Sequence, residues 1–139
     1  MKKLYITVLL ASVSMFSSQV FAGDCWKTLD DKTGQAKSYV ETSGSTGVIK
    51  HLVPADPAKL CTACKGSDKD KPIEGLTIIR GMKIGADDGV DKSGTIMDPK
   101  DGKKYSLKVW KEGGDLKVRG YIGFFYRTQT WKPAPGKCN

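Results

Sequence analysis

The sequence has little from which to build a metal or catalytic centre. It carries one histidine, His51, and four cysteines. Cys61-Thr-Ala-Cys64 is a single CxxC, with no second CxxC and no paired histidines to complete a zinc site. A redox-active CxxC needs a helix N-terminus in a βαβ setting to activate its first thiol, and no such setting is present. His51 lies in "VIKHLV" and reads as an ordinary strand residue. Nothing beyond the presence of those residue types suggests a Ser–His triad. "GADDGVD" offers Asp87, Asp88 and Asp91, but without the spacing of a calcium loop. No catalytic residue, metal set or cofactor site is expected, and the chain reads as a non-enzyme.

Clustered charge is also missing. Lys and Arg outnumber Asp and Glu by 23 to 15, yet the lysines are spread and often sit beside an acid, as in "SDKDK", "DPKDGKK" and "KEGGDLK". A nucleic-acid surface gathers its cations on one element, so nucleic acid is not an expected partner. The dispersed charge reads as a solvated surface.

A long apolar run occurs only at the start. Lys2 and Lys3 precede "LYITVLLASVSMF", and "VFA" ends at the small residue Ala22. This is the pattern of a secretory signal peptide. Polar Ser17, Ser18 and Gln19 interrupt it before the roughly 20 apolar residues of a membrane span. Residues 1–22 are therefore expected to be removed near Ala22 and 23–139 to form one domain, not membrane-spanning when mature. The product would work in the periplasm or outside the cell. Loss of Lys2 and Lys3 lowers the net charge from +8 to +6. An oxidising compartment favours disulfides. Four cysteines allow three connectivities, which spacing leaves open. The expected pairing is Cys61 with Cys64, a local link, and Cys25 with Cys138, an end-to-end one.

Helical periodicity is absent from any long run, and period two takes its place. In "YSLKVWK", Tyr105, Leu107 and Val109 share one face. In "DLKVRGYIG", Leu116, Val118 and Ile122 oppose Lys117, Arg119 and Tyr121. In "RTQTW", Arg127, Gln129 and Trp131 oppose Thr128 and Thr130. This alternation is that of half-buried strands. Gly beside Asp, Glu or Lys in "DKTGQ", "DPKDGKK" and "KEGGD" marks tight turns. Strands are predicted to start near Trp26, Lys37, Thr46, Leu76, Thr95, Tyr105, Leu116 and Arg127. Short strands with regular turns indicate a sandwich or barrel. Pro54 to Pro72 is a long connection that a Cys61–Cys64 bridge would restrain, with Asp56–Pro57 suited to cap one helical turn.

"KPIEGLTIIRGMK", "SGTIMDPKDGKKYSLKVW" and "LKVRGYIGFFYRTQTW" together resemble an exported bacterial family of unknown function, DUF2147. The resemblance spans nearly the whole mature chain. It implies an all-β fold, a single antiparallel lipocalin-like β-barrel of about eight strands, and no established reaction. It also implies a closure at the sealed end, with Trp26 on the first strand stacked against Arg127 on the last. Such a cation–π contact contributes roughly 0.5–2 kcal/mol. Gly120 and Gly123 read as bend positions.

An eight-stranded barrel is either filled by side chains or holds one small ligand. The expected function is binding of a small apolar or amphipathic ligand, with Tyr105, Leu107, Val109, Tyr121, Phe124 and Phe125 as candidate lining residues. The alternative is a solid barrel that binds a cell-envelope component, protein or glycan, through loop charges such as Lys65, Lys69 and Lys71. A third reading is a thiol enzyme using Cys61 and Cys64.

Overall fold

In the computed structural model, residues 23–85 and 91–139 are described. The expected signal segment, Asp87 and Asp88 lie outside them. The strands are β1 (Asp24–Leu29), β2 (Ala36–Ser43), β3 (Thr46–Leu52), β4 (Thr77–Arg80), β5 (Ile84–Gly85), β6 (Thr95–Met97), β7 (Lys104–Glu112), β8 (Asp115–Ile122) and β9 (Phe125–Pro133). All eight predicted starts fall within two residues of an observed one. The short β5 is the strand the alternation did not announce.

The strands form a ring in the order β7-β6-β4-β3-β2-β1-β9-β8, and β8 returns to β7. This is a closed antiparallel eight-stranded barrel. Among the described residues, the pair β5–β7 is the one parallel pairing. β7 is nine residues long, and β6 covers only Lys104–Ser106 of one edge. β5 covers Val109 and Trp110 further along that edge. Without it, that part of β7 would expose unpaired backbone groups.

The hairpin turns at Gly44-Ser45 and Gly113-Gly114 lie at one end of the barrel together with the C-terminal segment. The β1–β2, β6–β7 and β8–β9 turns lie at the other. The first end is sealed. Trp26, Val40, Val109, Leu116, Val118 and Trp131 belong to one buried apolar cluster. Each fully buried aliphatic side chain contributes about 1.5–3 kcal/mol. The indole Nε1 of Trp26 donates to Thr42 Oγ1 over 2.9 Å, so its polar atom is satisfied within the seal. Outside, Ala134 N donates to Cys25 O at 2.9 Å, and Cys25 is bonded to Cys138.

The connection from β3 to β4 contains a 3-10 turn at Gly66–Asp68. Asp56 starts only a single turn, closed by Lys59 N to Asp56 O at 3.2 Å. The connection is restrained as its cysteines suggest. Cys61 is bonded to Cys64, and both are buried. Cys61 N donates to Lys71 O at 2.7 Å, and Ile73 N to Lys59 O at 3.0 Å. Gly102 in the β6–β7 turn seats this loop. A Cβ there would lie 2.0 Å from Ala63 O, so no larger residue fits that approach.

Candidate ligand-binding site

A cavity of about 340 Å³ opens inside the barrel above the sealed end. Its position follows from the alternation. On β1 and β2, Thr28, Ser38 and Val40 face inward. On β8 and β9 the inward residues are Val118, Gly120, Ile122, Phe125, Arg127, Gln129 and Trp131. Ile49, Ile78, Ile96 and Tyr105 complete most of the wall.

The wall is apolar toward the base and mixed toward the mouth, where Leu29, Ile122 and Phe125 stand beside the charged groups. Val40, Ile49, Ile78, Val118 and Trp131 are buried around the lower part. Two polar pairs sit higher in the wall and are internally satisfied. Thr28 Oγ1 and Ser38 Oγ are 2.6 Å apart, and Trp131 Nε1 donates to Gln129 Oε1 at 3.0 Å. At the mouth stand Lys37, Asp98, Tyr105 and Arg127. Arg127 Nη2 lies 2.6 Å from Asp31 Oδ2, which joins the start of β9 to the β1–β2 turn.

Gly120 gives the cavity part of its width. A Cβ at this position would stand 3.3 Å from Tyr105 Cβ and 3.7 Å from Ile96 Cγ2. Glycine leaves that space open and lets Tyr105 turn across the interior. Burial pushes the Tyr105 phenol above its ordinary range, and the carboxylates of Asp101 and Asp98 push the same way, while Arg127 opposes them. The shift moves its ionisation further to the alkaline side.

The residues expected to line the interior divide into three groups. Tyr105 lines the cavity, and Phe125 stands at its rim, largely exposed. Leu107 and Val109 share the face of Tyr105 but are packed shut in the core, with 0% and 1% exposure. Tyr121 and Phe124 do not face inward. Tyr121 follows Gly120 on β8, so its ring takes the outer surface, 5.7 Å from the ring of Tyr126. Phe124 occupies the β8–β9 turn and is fully exposed.

The expected stacking of Trp26 on Arg127 is not formed. Trp26 pairs with Pro133 in the β1–β9 ladder. Arg127 is six residues earlier on β9, roughly 20 Å along the strand at 3.3 Å per residue. Trp26 is therefore in the sealed base and Arg127 at the open mouth. In the base, Trp26 belongs to the buried apolar cluster with Trp131 and Leu116.

Sequence reasoning did not reach the wall that β1, β2 and β3 supply through Thr28, Ser38, Val40 and Ile49, and it also missed Lys37, Ile78, Ile96 and Asp98. Gln129 was within reach, because it lies in the same alternating stripe as Arg127 and Trp131. Lys37, Ile78, Ile96 and Asp98 sit on strands too short, or too near a turn, to show a period of their own, whereas for β1 to β3 the expectation covered the strands and not the face that lines the interior.

Among the described residues, no cluster of three His, Cys, Asp or Glu side chains could hold a metal ion. No helix among them is long and apolar enough to cross a membrane. The model of the family described as "Uncharacterized protein conserved in bacteria (DUF2147)" matches residues 24–133. The chain belongs to the DUF2147 family. A solved structure, protein HP1028 from the human pathogen Helicobacter pylori, is similar to this DUF2147 chain with a TM-score of 0.59 and 18% identity over 83% of each chain. That protein is described as belonging to the lipocalin family. At this identity the likeness concerns the fold, and it agrees with the lipocalin-like barrel. No curated protein matches the chain in sequence.

Proposed function

We propose that this protein is an exported, non-enzymatic carrier that holds one small apolar or amphipathic molecule in the barrel. The observation that carries this reading is the cavity itself. A solid barrel would have no interior space, whereas this one retains about 340 Å³ beside Gly120. That volume is at the lower end of ligand pockets, about 300–1,000 Å³. It suits a small molecule, or the end of one chain of a larger lipid. The apolar floor at Trp131 and Val40, with Lys37 and Arg127 at the mouth, favours an amphipathic molecule whose polar end meets those cations. Removal of the first segment near Ala22 and action in the periplasm or outside the cell fit the two disulfides, which persist in oxidising compartments.

The solid-barrel alternative draws less support. Two of its proposed contact residues are engaged within their own loop. Lys69 Nζ donates to Thr62 O at 2.9 Å, and Lys71 Nζ lies 3.3 Å from Asp68 Oδ1. The thiol-enzyme reading lacks accessible sulfur, since Cys61 and Cys64 are buried.

The test is native mass spectrometry of the mature protein, purified from its host and again after delipidation and refolding. It is paired with displacement of a fluorescent fatty acid. A stoichiometric adduct, or saturable one-to-one binding of the probe, is expected. Absence of both, across apolar and amphipathic ligands, would reject the carrier reading.

A further inference from the structure

Among the described residues, three two-residue hairpin turns join neighbouring strands, and they differ in composition. At the sealed end they are Gly44-Ser45 and Gly113-Gly114. At the open end the turn is Gly123-Phe124, between paired Ile122 and Phe125. Glycine comes first there and has a positive φ of 56°, as one class of tight hairpin requires. The turn therefore explains the glycine but not the aromatics around it. Ile122, Phe124, Phe125 and Tyr126 are 54%, 101%, 79% and 61% exposed. Scattered exposed apolar residues are ordinary, but a contiguous cluster marks an interaction site.

Cations surround this tip. Ser106 pairs with Tyr121, which puts the exposed Lys104 level with Gly123, and Lys103 precedes it. On the outer face below the tip, Lys92 Nζ lies 4.1 Å from the centre of the Tyr121 ring. The Arg119 guanidinium lies 4.5 Å from that of Tyr126. Carboxylates share this end: Asp31, paired with Arg127, and Asp30, Asp98 and Asp101, which accept from backbone N–H groups and keep their charge, so the cations that face lipid are those nearest the tip. Asp98 Oδ1 accepts from Lys100 N, and Asp101 Oδ1 from Lys103 N, each at 2.9 Å. An apolar tip below which aromatic rings and cations alternate matches a lipid interface, where rings sit at headgroup level and cations meet anionic lipid.

We infer that the β8–β9 hairpin docks the barrel, mouth first, on an anionic phospholipid surface. Phe124 and Phe125 enter the acyl boundary, and Lys103, Lys104 and Lys92 meet the headgroups. Ile122 and Phe125 both line the cavity mouth and belong to the tip. Docking therefore places the cavity opening against the lipid. The inference concerns the tip alone and stands whether or not the interior holds a ligand.

The test uses the mature protein with vesicles of phosphatidylethanolamine and phosphatidylglycerol at 3:1, and with phosphatidylcholine vesicles as control. Co-sedimentation with the anionic vesicles is expected, weakening as salt rises. Lys103→Gln with Lys104→Gln should weaken binding about fivefold for each charge removed. Phe124→Ala should weaken it by roughly tenfold or more; this side chain is fully exposed, so the fold is unaffected. In Phe124→Trp, the new indole emission should shift to the blue on the anionic vesicles. Three results would overturn the inference. They are no preference for anionic vesicles, unchanged partitioning of Phe124→Ala, or self-association through the tip that Phe124→Ala abolishes. Fluorescent fatty-acid binding by Phe124→Ala, measured without vesicles, reads the carrier function separately.

Discussion

Arg127 reaches across the open rim to Asp31, with 2.6 Å between Nη2 and Oδ2. The two side chains are 70% and 36% exposed, so the pair contributes at most about 1 kcal/mol to stability. Its larger effect concerns the mouth, where Asp31 competes for the guanidinium with any anionic ligand head. Asp31→Asn should leave the urea midpoint nearly unchanged and tighten binding of a carboxylate-headed probe severalfold. Arg127→Gln should weaken the same binding. Titration of a fluorescent fatty acid against each variant measures both.

The width beside Tyr105 depends on one glycine. Gly120→Val would put a Cβ 3.3 Å from Tyr105 Cβ and add two methyl groups to the interior. Probe binding should fall by at least about tenfold, while far-ultraviolet circular dichroism keeps its β signature. Undiminished binding would place the probe outside the barrel.

In the seal, the Trp26 indole has one buried acceptor, Thr42 Oγ1. Thr42→Val leaves that N–H unsatisfied and should cost about 1–3 kcal/mol. Adding Trp26→Phe removes the orphaned donor, so the double variant should lose less than the two single losses combined. Urea unfolding of all four proteins gives the coupling.

The two disulfides should contribute unequally. Cys25 and Cys138 are 113 residues apart, and Cys61 and Cys64 only 3. In the chain-entropy model these loops correspond to about 5 and about 2 kcal/mol. Unfolding of Cys25→Ser/Cys138→Ser and of Cys61→Ser/Cys64→Ser should show the first pair losing more.

Stability should also respond to pH through two groups at the open end. Tyr105 is held above its ordinary value of 10.0 by burial and by Asp101 and Asp98. The folded protein keeps that proton longer than the unfolded chain. Its contribution is complete below about pH 10 and disappears as pH rises through the folded value. Tyr105→Phe should therefore lose less stability than wild type on that alkaline limb. Asp30 is shifted the other way, below 3.8, because the backbone N–H groups of Thr33 and Lys32 donate to its carboxylate. That contribution is present above 3.8 and lost as pH falls through the folded value. Asp30→Asn should flatten the acid limb.

Local chemistry made the strands readable. Alternation in Tyr105–Val109 and Leu116–Ile122 reflects two residues per pleat, a property of the chain itself. Glycine at Gly44, Gly113 and Gly123 supplies the positive φ that ends strands. The cysteine pairing was narrowed by reasoning that local and terminal cysteines meet, and the bonded pairs agree. The DUF2147 motifs carried the barrel.

What tertiary structure decided was where each stripe faces and at what height. Alternation already set Tyr121 on the face of Lys117 and Arg119, opposite Leu116, Val118 and Ile122, and the structure follows that pattern rather than the lining role expected of its ring. A turn residue such as Phe124 belongs to neither face. Trp26 and Arg127 were assigned one level, although β9 runs antiparallel to β1 and its register puts Pro133 beside Trp26. Register is a contact between residues about a hundred positions apart, so no local pattern contains it. The cavity is less legible still, since it is the volume left after every wall residue has packed, and Gly120 shapes it by having no side chain.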